Sequence, residues 1–247
     1  MANVFLDIET CPCADKQPFI DEARNNFKAP SDLTKAQACA DLGLTGNDEK
    51  FTSKEKAIAL WEERFAEEKA PEVADQAWRK TALDGTKGRV LSIAWQASSG
   101  ASGLHIADPI DEVETLTSFI DALNDTLADH GTARPPFFIG HNVTFDLKFL
   151  FRRCVINGVW SPFALPFRGR HDKDYFCTME HWCGYGERIS LANLCAALNI
   201  ESNNEIDGSM ICDYWLAGRY AEIAAYNKDD VDLTMKVYRK LTFSQAA

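Results

Sequence analysis

An α/β fold with a helical insertion after its first strand is what this sequence predicts, on three observations. Residues 4–9 form a strand-like run at the start of the chain, and further strand-like runs stand at 89–96, 104–106 and 136–141. The rest of the C-terminal half is patterned for helices. Between the first two strands lies a polar, helix-patterned stretch, 14–87, where a strand connection normally needs only a few residues.

Bulk properties narrow the class. The chain has 247 residues, 46% of them hydrophobic, which is ample for a core. A net charge of −11 argues against coating nucleic acid by bulk electrostatics, but leaves room for a local groove that accepts one strand end. No apolar run approaches the roughly 18–20 residues of a membrane span, so no membrane partner is expected. No basic-then-apolar leader precedes the first strand. The eight cysteines are scattered without a C-x2-C pair, as reduced thiols are. A cytoplasmic protein is the expectation.

Within 14–87, Thr52 and Glu55 have capping-box spacing, and Ile58, Trp61 and Phe65 recur at helical intervals. Val73, Ala77 and Trp78 continue an amphipathic piece after Pro71. The aromatic residues Phe19, Phe27, Phe51, Trp61, Phe65 and Trp78 are expected to pack against one another and the core. The alternative is a lid over a bound strand, supplying stacking and cationic contacts.

Three acidic motifs carry the chemistry. In Phe5-Leu6-Asp7-Ile8-Glu9-Thr10, strand alternation puts Asp7 and Glu9 on one face and Leu6 and Ile8 on the other. Paired carboxylates repel unless a cation lies between them; the plain alternative is a solvated strand face. In Gly140-His141-Asn142-Val143-Thr144-Phe145-Asp146, a strand ends near His141 and a helix starts near Thr144, an N-cap type. Asp146 falls in the first turn, where an acid is favourable by itself, yet it shares a face with Phe149 and Leu150. In the last motif, Ile223, Tyr226, Asp230, Leu233 and Val237 form one helical stripe, apolar except at Asp230. A carboxylate on such a stripe needs a cation, a basic partner or a cleft. Asp229 and Asp232 fall off the stripe and read as solvated. Hard oxygen donors of this kind suit Mg2+ or Mn2+.

These motifs resemble those of the DnaQ-like exonucleases on the RNase H-like fold, and specifically the DEDDy subgroup that includes proofreading domains of family B DNA polymerases. The acid-x-acid strand is met by Asp7 and Glu9, the Asn-x3-Asp motif by Asn142 and Asp146, and Tyr-x3-Asp by Tyr226 and Asp230. The histidine of the sister subgroup, five residues before the last acid, is Ala225 here. The resemblance runs in order over most of the chain and includes the helix start at Ser190; the long 14–87 segment departs from it.

The resemblance implies an RNase H-like mixed β-sheet flanked by helices, in a single exonuclease domain spanning 1–247. It implies two ions of Mg2+ or Mn2+, with Asp7 bridging them, Glu9 and Asp230 holding one, and Asp146 supporting the other. Tyr226 would orient the nucleophilic water. Thr10, Cys11 and Asn142 would grip the 3′-terminal nucleotide, and the products would be nucleoside 5′-monophosphates. The implied partner is single-stranded DNA or a DNA 3′ end, with RNA as the alternative substrate and a DNA polymerase or repair protein as a candidate partner in trans. A catalytically inactive nucleic-acid binding module is the rival from another class, disfavoured because all five residues of the motifs are present; a transposase or resolvase does not call for Tyr-x3-Asp. His141 reads as structural. The basic run Arg168, Arg170, His171 and Lys173 reads as a solvated loop, with phosphate contact as its functional alternative. Lys148, Arg152 and Arg153 offer the same.

Overall fold

The structure is a computed structural model, which describes residues 2–106, 111–129, 135–202 and 206–244. In chain order its elements are β1 (Ala2–Cys11), α1 (Gln17–Asn25), α2 (Lys35–Asp41), α3 (Asn47–Phe51), α4 (Lys54–Arg79), a 3-10 turn (Lys80–Leu83), β2 (Arg89–Ala97), β3 (Ser102–Ile106), α5 (Glu112–Asp129), β4 (Pro136–Gly140), α6 (Val143–Asn157), β5 (Tyr175–Cys177), α7 (Thr178–Cys183), α8 (Leu191–Ala197), α9 (Ile211–Leu216) and α10 (Tyr220–Leu241). They form two compact units, Cys13–Thr81 and Met1–Pro12 with Ala82–Ala247.

The larger unit is built on a five-stranded mixed sheet in the order β3-β2-β1-β4-β5. β1 runs antiparallel to β2 and parallel to β4. Its alternation decides what faces what. Val4, Leu6 and Ile8 enter the main core with Leu116, Phe119 and Leu123 of α5 and Leu147 and Leu150 of α6. Phe5, on the other face, packs with Ile139, Phe176 and Val231 of α10. Helices therefore cover both faces, which makes this the RNase H-like α/β architecture expected. Asp7 and Glu9 consequently face into the protein and not the bulk solvent a one-sided strand would offer.

Several local readings change. β5 stands where only helix was expected. Three residues are too few to show alternation, and pairing with β4 decides their conformation. Ser53, not Thr52, caps α4: its hydroxyl accepts from the Lys56 N–H at 3.2 Å, while Thr52 donates to the Asp48 carbonyl. Pro71 does not divide the helix, which runs through it. Its exposed position limits the cost to the lost N–H and a local distortion. The buried stripe is then Trp61, Ala66, Ala70, Ala74 and Trp78, and Val73 is exposed. Within this smaller unit Trp61 lies between Phe27 and Phe65 and donates its indole N–H to Asp41 at 2.8 Å. Phe51, by contrast, is exposed.

Candidate active site

Two strand–helix arrangements bring the acidic motifs together. Asp7 and Glu9 project from the α10 side of β1, just before a register shift between Glu9 and Thr10. α10 is pinned by Ile223, Val231, Leu233 and Val237, all buried, and this presents Asp230 to the strand. Carboxylate oxygens of Asp7, Glu9 and Asp230 lie within 4.8 Å of one another.

Asp146 enters from the start of α6. The chain turns there through Gly140, where a Cβ would sit 2.8 Å from the Val143 Cβ and 2.9 Å from the Leu6 carbonyl oxygen. Asn142, not Thr144, is the N-cap residue, in the left-handed conformation at φ 64°, which asparagine tolerates better than most residues. Asp146 is 4% exposed, and its Oδ2 is buried without a hydrogen-bond partner. An orphaned carboxylate oxygen in so dry a place is costly unless a ligand completes it.

The electrostatics agree. Burial, followed by the Asp230 charge, holds the Asp7 pKa well above the ordinary range, against the hydrogen bond from Asn227. Burial and the charges of Asp7, Asp230 and Asp146 raise Glu9. Burial and Asp7 raise Asp146. The charged groups acting on each of the three are other carboxylates. Clustered hard oxygen donors, an excess of negative charge and an unpaired oxygen together fit divalent cations. Asp7, Glu9, Asp146 and Asp230 are the residues to hold them.

Tyr226 lies one turn before Asp230 on the same face of α10. Burial, then the charges of Asp230 and Glu9 and a hydrogen bond to Asp230, raise its pKa far above the ordinary phenol value. The hydroxyl stays protonated at any working pH. Thr10 spends its hydroxyl on the Ala82 carbonyl at 2.7 Å, and the Cys11 side chain is fully buried, which leaves their backbone as what they could offer a ligand. The Asn142 side chain makes no capping bond. His141 bonds Thr178 at 2.9 Å and the Ile189 carbonyl at 2.8 Å, and burial lowers its pKa. It ties β4 to the elements that follow, the structural role expected.

The sequence reading missed Asn227. It is fully buried, donates its amide N–H to Asp7 Oδ2 at 2.6 Å, and accepts the Ser92 hydroxyl at 2.7 Å. This relay from β2 through α10 to β1 fixes the Asp7 carboxylate. The only signal in the sequence is its place beside Tyr226, one position off the apolar stripe. Asn227→Ala should raise the Mg2+ concentration needed for half-maximal activity about 10–100-fold, the usual scale for losing a group that orients a metal ligand, with the circular dichroism spectrum unchanged. An unaltered Mg2+ dependence would reduce Asn227 to packing.

A groove of about 840 Å3 opens beside the carboxylates. It is lined by Asn142, Phe145, Lys148, Arg152, Phe167, Arg168 and Arg188, among others. Arg153, grouped with its neighbours in the sequence reading, is not available to it: the guanidinium is buried and paired with Glu112 at 2.6 Å. The 168–173 loop divides likewise, Arg168 lining the groove and Arg170 pairing with Asp174 at 3.8 Å.

Comparison with known proteins fits this geometry. A family model described as 3′-5′ exonuclease matches residues 67–244. That span contains Asp146, Tyr226 and Asp230; Asp7 and Glu9 stand before it. The fold is similar to that of the family B DNA polymerase from the hyperthermophilic archaeon Pyrobaculum calidifontis, with a TM-score of 0.54 and 14% identity over 98% of this chain. The chain spans 24% of that polymerase chain's length. No curated protein matches the sequence. A family match over most of the chain, on this fold, makes the protein a member of the 3′-5′ exonucleases of the DnaQ-like superfamily, and hence a phosphodiester hydrolase.

Proposed function

We propose that the chain removes nucleotides from the 3′ end of single-stranded DNA as 5′-monophosphates, using two divalent cations, Mg2+ or Mn2+, as a DEDDy-type enzyme. The observation that carries this reading is the juxtaposition of the carboxylate cluster with a groove of opposite charge. Lys148, Arg152, Arg168 and Arg188 line that groove with Phe145 and Phe167. Cations that track phosphates and aromatic faces that stack bases are what a strand of little sequence preference needs. A protein of net charge −11 can hold DNA there because screening confines the repulsion of distant acids to about 8–10 Å.

Bound ions would neutralise charge on the phosphodiester and acidify the attacking water. The protein's own groups would do the rest. Asp7, held by Asn227, and Asp230, held by Tyr226, keep their oxygens in register with Glu9. The Tyr226 hydroxyl, permanently protonated, orients the water by hydrogen bonding and does not act as a base. Asn142 and the backbone at Thr10 and Cys11 position the terminal nucleotide.

The test uses 5′-labelled single-stranded DNA, duplex DNA and RNA. Mg2+ or Mn2+ should produce a ladder of shortened single strands, and EDTA should abolish it. Full activity in EDTA would sink the metal assignment, and faster digestion of RNA would replace the DNA preference. Arg168→Ala with Arg188→Ala should raise KM on a long strand by about tenfold or more and flatten its salt dependence. A dinucleotide should be cleaved at nearly the wild-type rate. Equal losses on both substrates would remove the groove from the binding path.

A further inference from the structure

A second cluster of metal-ligand side chains lies at the edge of the sheet, two strands away from β1. His171 and Asp172 stand in the loop leading into β5, and His181 stands on α7. The Asp172 Oδ1 is 3.0 Å from Nδ1 of His171 and 3.9 Å from Nδ1 of His181, and one donor atom from each residue falls within 4.8 Å of the others. The loop is built to place them. Asp172 adopts φ 64° and donates its N–H to the Tyr175 carbonyl at 2.8 Å, which turns its carboxylate back toward the rings. Phe176 packs against both imidazoles, at 5.0 and 4.7 Å between ring centroids.

The hydrogen-bond chemistry makes this arrangement informative. Nε2 of His171 sits 3.1 Å from the Cys177 carbonyl oxygen. A carbonyl only accepts, so this nitrogen carries the hydrogen, and Nδ1 of the neutral ring is then a lone pair. That lone pair faces a carboxylate oxygen at 3.0 Å. Two acceptors at that distance require a proton or a cation between them. A proton would make His171 an imidazolium lying nearly parallel to His181, with ring centroids 5.7 Å apart. A metal ion satisfies both imidazoles and the carboxylate together. A histidine whose other nitrogen donates to a backbone carbonyl is the usual form of a metal-bound imidazole.

We propose that His171, Asp172 and His181 bind a d-block divalent ion of the Zn2+ type, through the two Nδ1 atoms and the carboxylate, with an open coordination position. Tetrahedral zinc with ligands at about 2.0–2.1 Å separates its donors by about 3.3 Å, so small side-chain shifts close the site. Ligand chemistry sorts the two centres: imidazole suits Zn2+, whereas the all-carboxylate cluster suits Mg2+ or Mn2+. The bound ion would clip the loop before β5 to α7.

The experiment titrates the full-length chain, free of any histidine tag, with Zn2+ by calorimetry in saturating Mg2+. Wild type and Asp7→Asn should each bind one equivalent, while His171→Gln and His181→Gln should bind none. Asp172→Asn, a change at an exposed side chain that suits the left-handed backbone, should weaken binding about tenfold or more. Mg2+-dependent activity of the histidine variants reports that they fold. Binding that survives in both histidine variants would place the ion on carboxylates or thiols and overturn the proposal. So would a wild type that binds no Zn2+, which would leave a proton between His171 and Asp172.

Discussion

Asp7→Asn is expected to lower turnover on the order of a thousandfold, the scale on which a group stabilising transition-state charge is lost. Asp230→Asn should behave alike. Asp7 lies at the centre of the cluster: its charge acts on both Glu9 and Asp146, and Asn227 is committed to holding it. The substitution keeps the shape and an acceptor for Asn227 while removing the charge. It should therefore leave the fold intact and make the metal-free protein more stable, because mutual repulsion falls. The pH dependence has a definite sign. Asp7, Glu9 and Asp146 all have folded pKa values above their unfolded ones. The metal-free wild type keeps its full stability from these groups only below the ordinary carboxylate range, about pH 4. It loses that stability as pH rises through the elevated folded values. The Tm advantage of Asp7→Asn in EDTA should accordingly be nil at low pH and grow as pH rises, and Mg2+ should reverse the ranking. A variant that turns over at nearly the wild-type rate in saturating Mg2+ would falsify the site assignment.

Tyr226→Phe is expected to lower kcat by about 10–1000-fold, the range spanned by positioned hydrogen-bonding groups, with little change in the Mg2+ dependence. The phenol is close to the acids without belonging to them. Its hydroxyl bonds Asp230, and burial with the surrounding negative charge keeps it protonated. A base at this position would give a pH–rate profile with a limb that disappears in the variant; an orienting donor gives profiles of the same shape at different heights. Unchanged kcat would leave Tyr226 as a packing residue beside Tyr214, Trp215 and Tyr220 in the cluster around Ile211 and Ile223.

The sequence by itself determined the α/β architecture, the strands β1 to β4, and every acid that the fold gathers. These were legible because each is written in local periodicity. Asp7 and Glu9 two apart, and Tyr226 and Asp230 four apart, occupy one face whatever surrounds them. Only the tertiary structure decided the rest. β5 exists because β4 offers it an edge, a non-local pairing that three residues cannot announce. Arg153 left the basic set because Glu112, from a different helix, reaches its guanidinium in the core. Lys148, Arg168 and Arg188 became one groove wall only when α6 and the loops after it were folded together. Asn227 is the sharpest case. An asparagine in a helix has no signature of its own, and its function arises from Ser92 and Asp7, 135 and 220 residues away. Periodicity records which way a side chain points along its own element; what it meets there depends on contacts between distant parts of the chain.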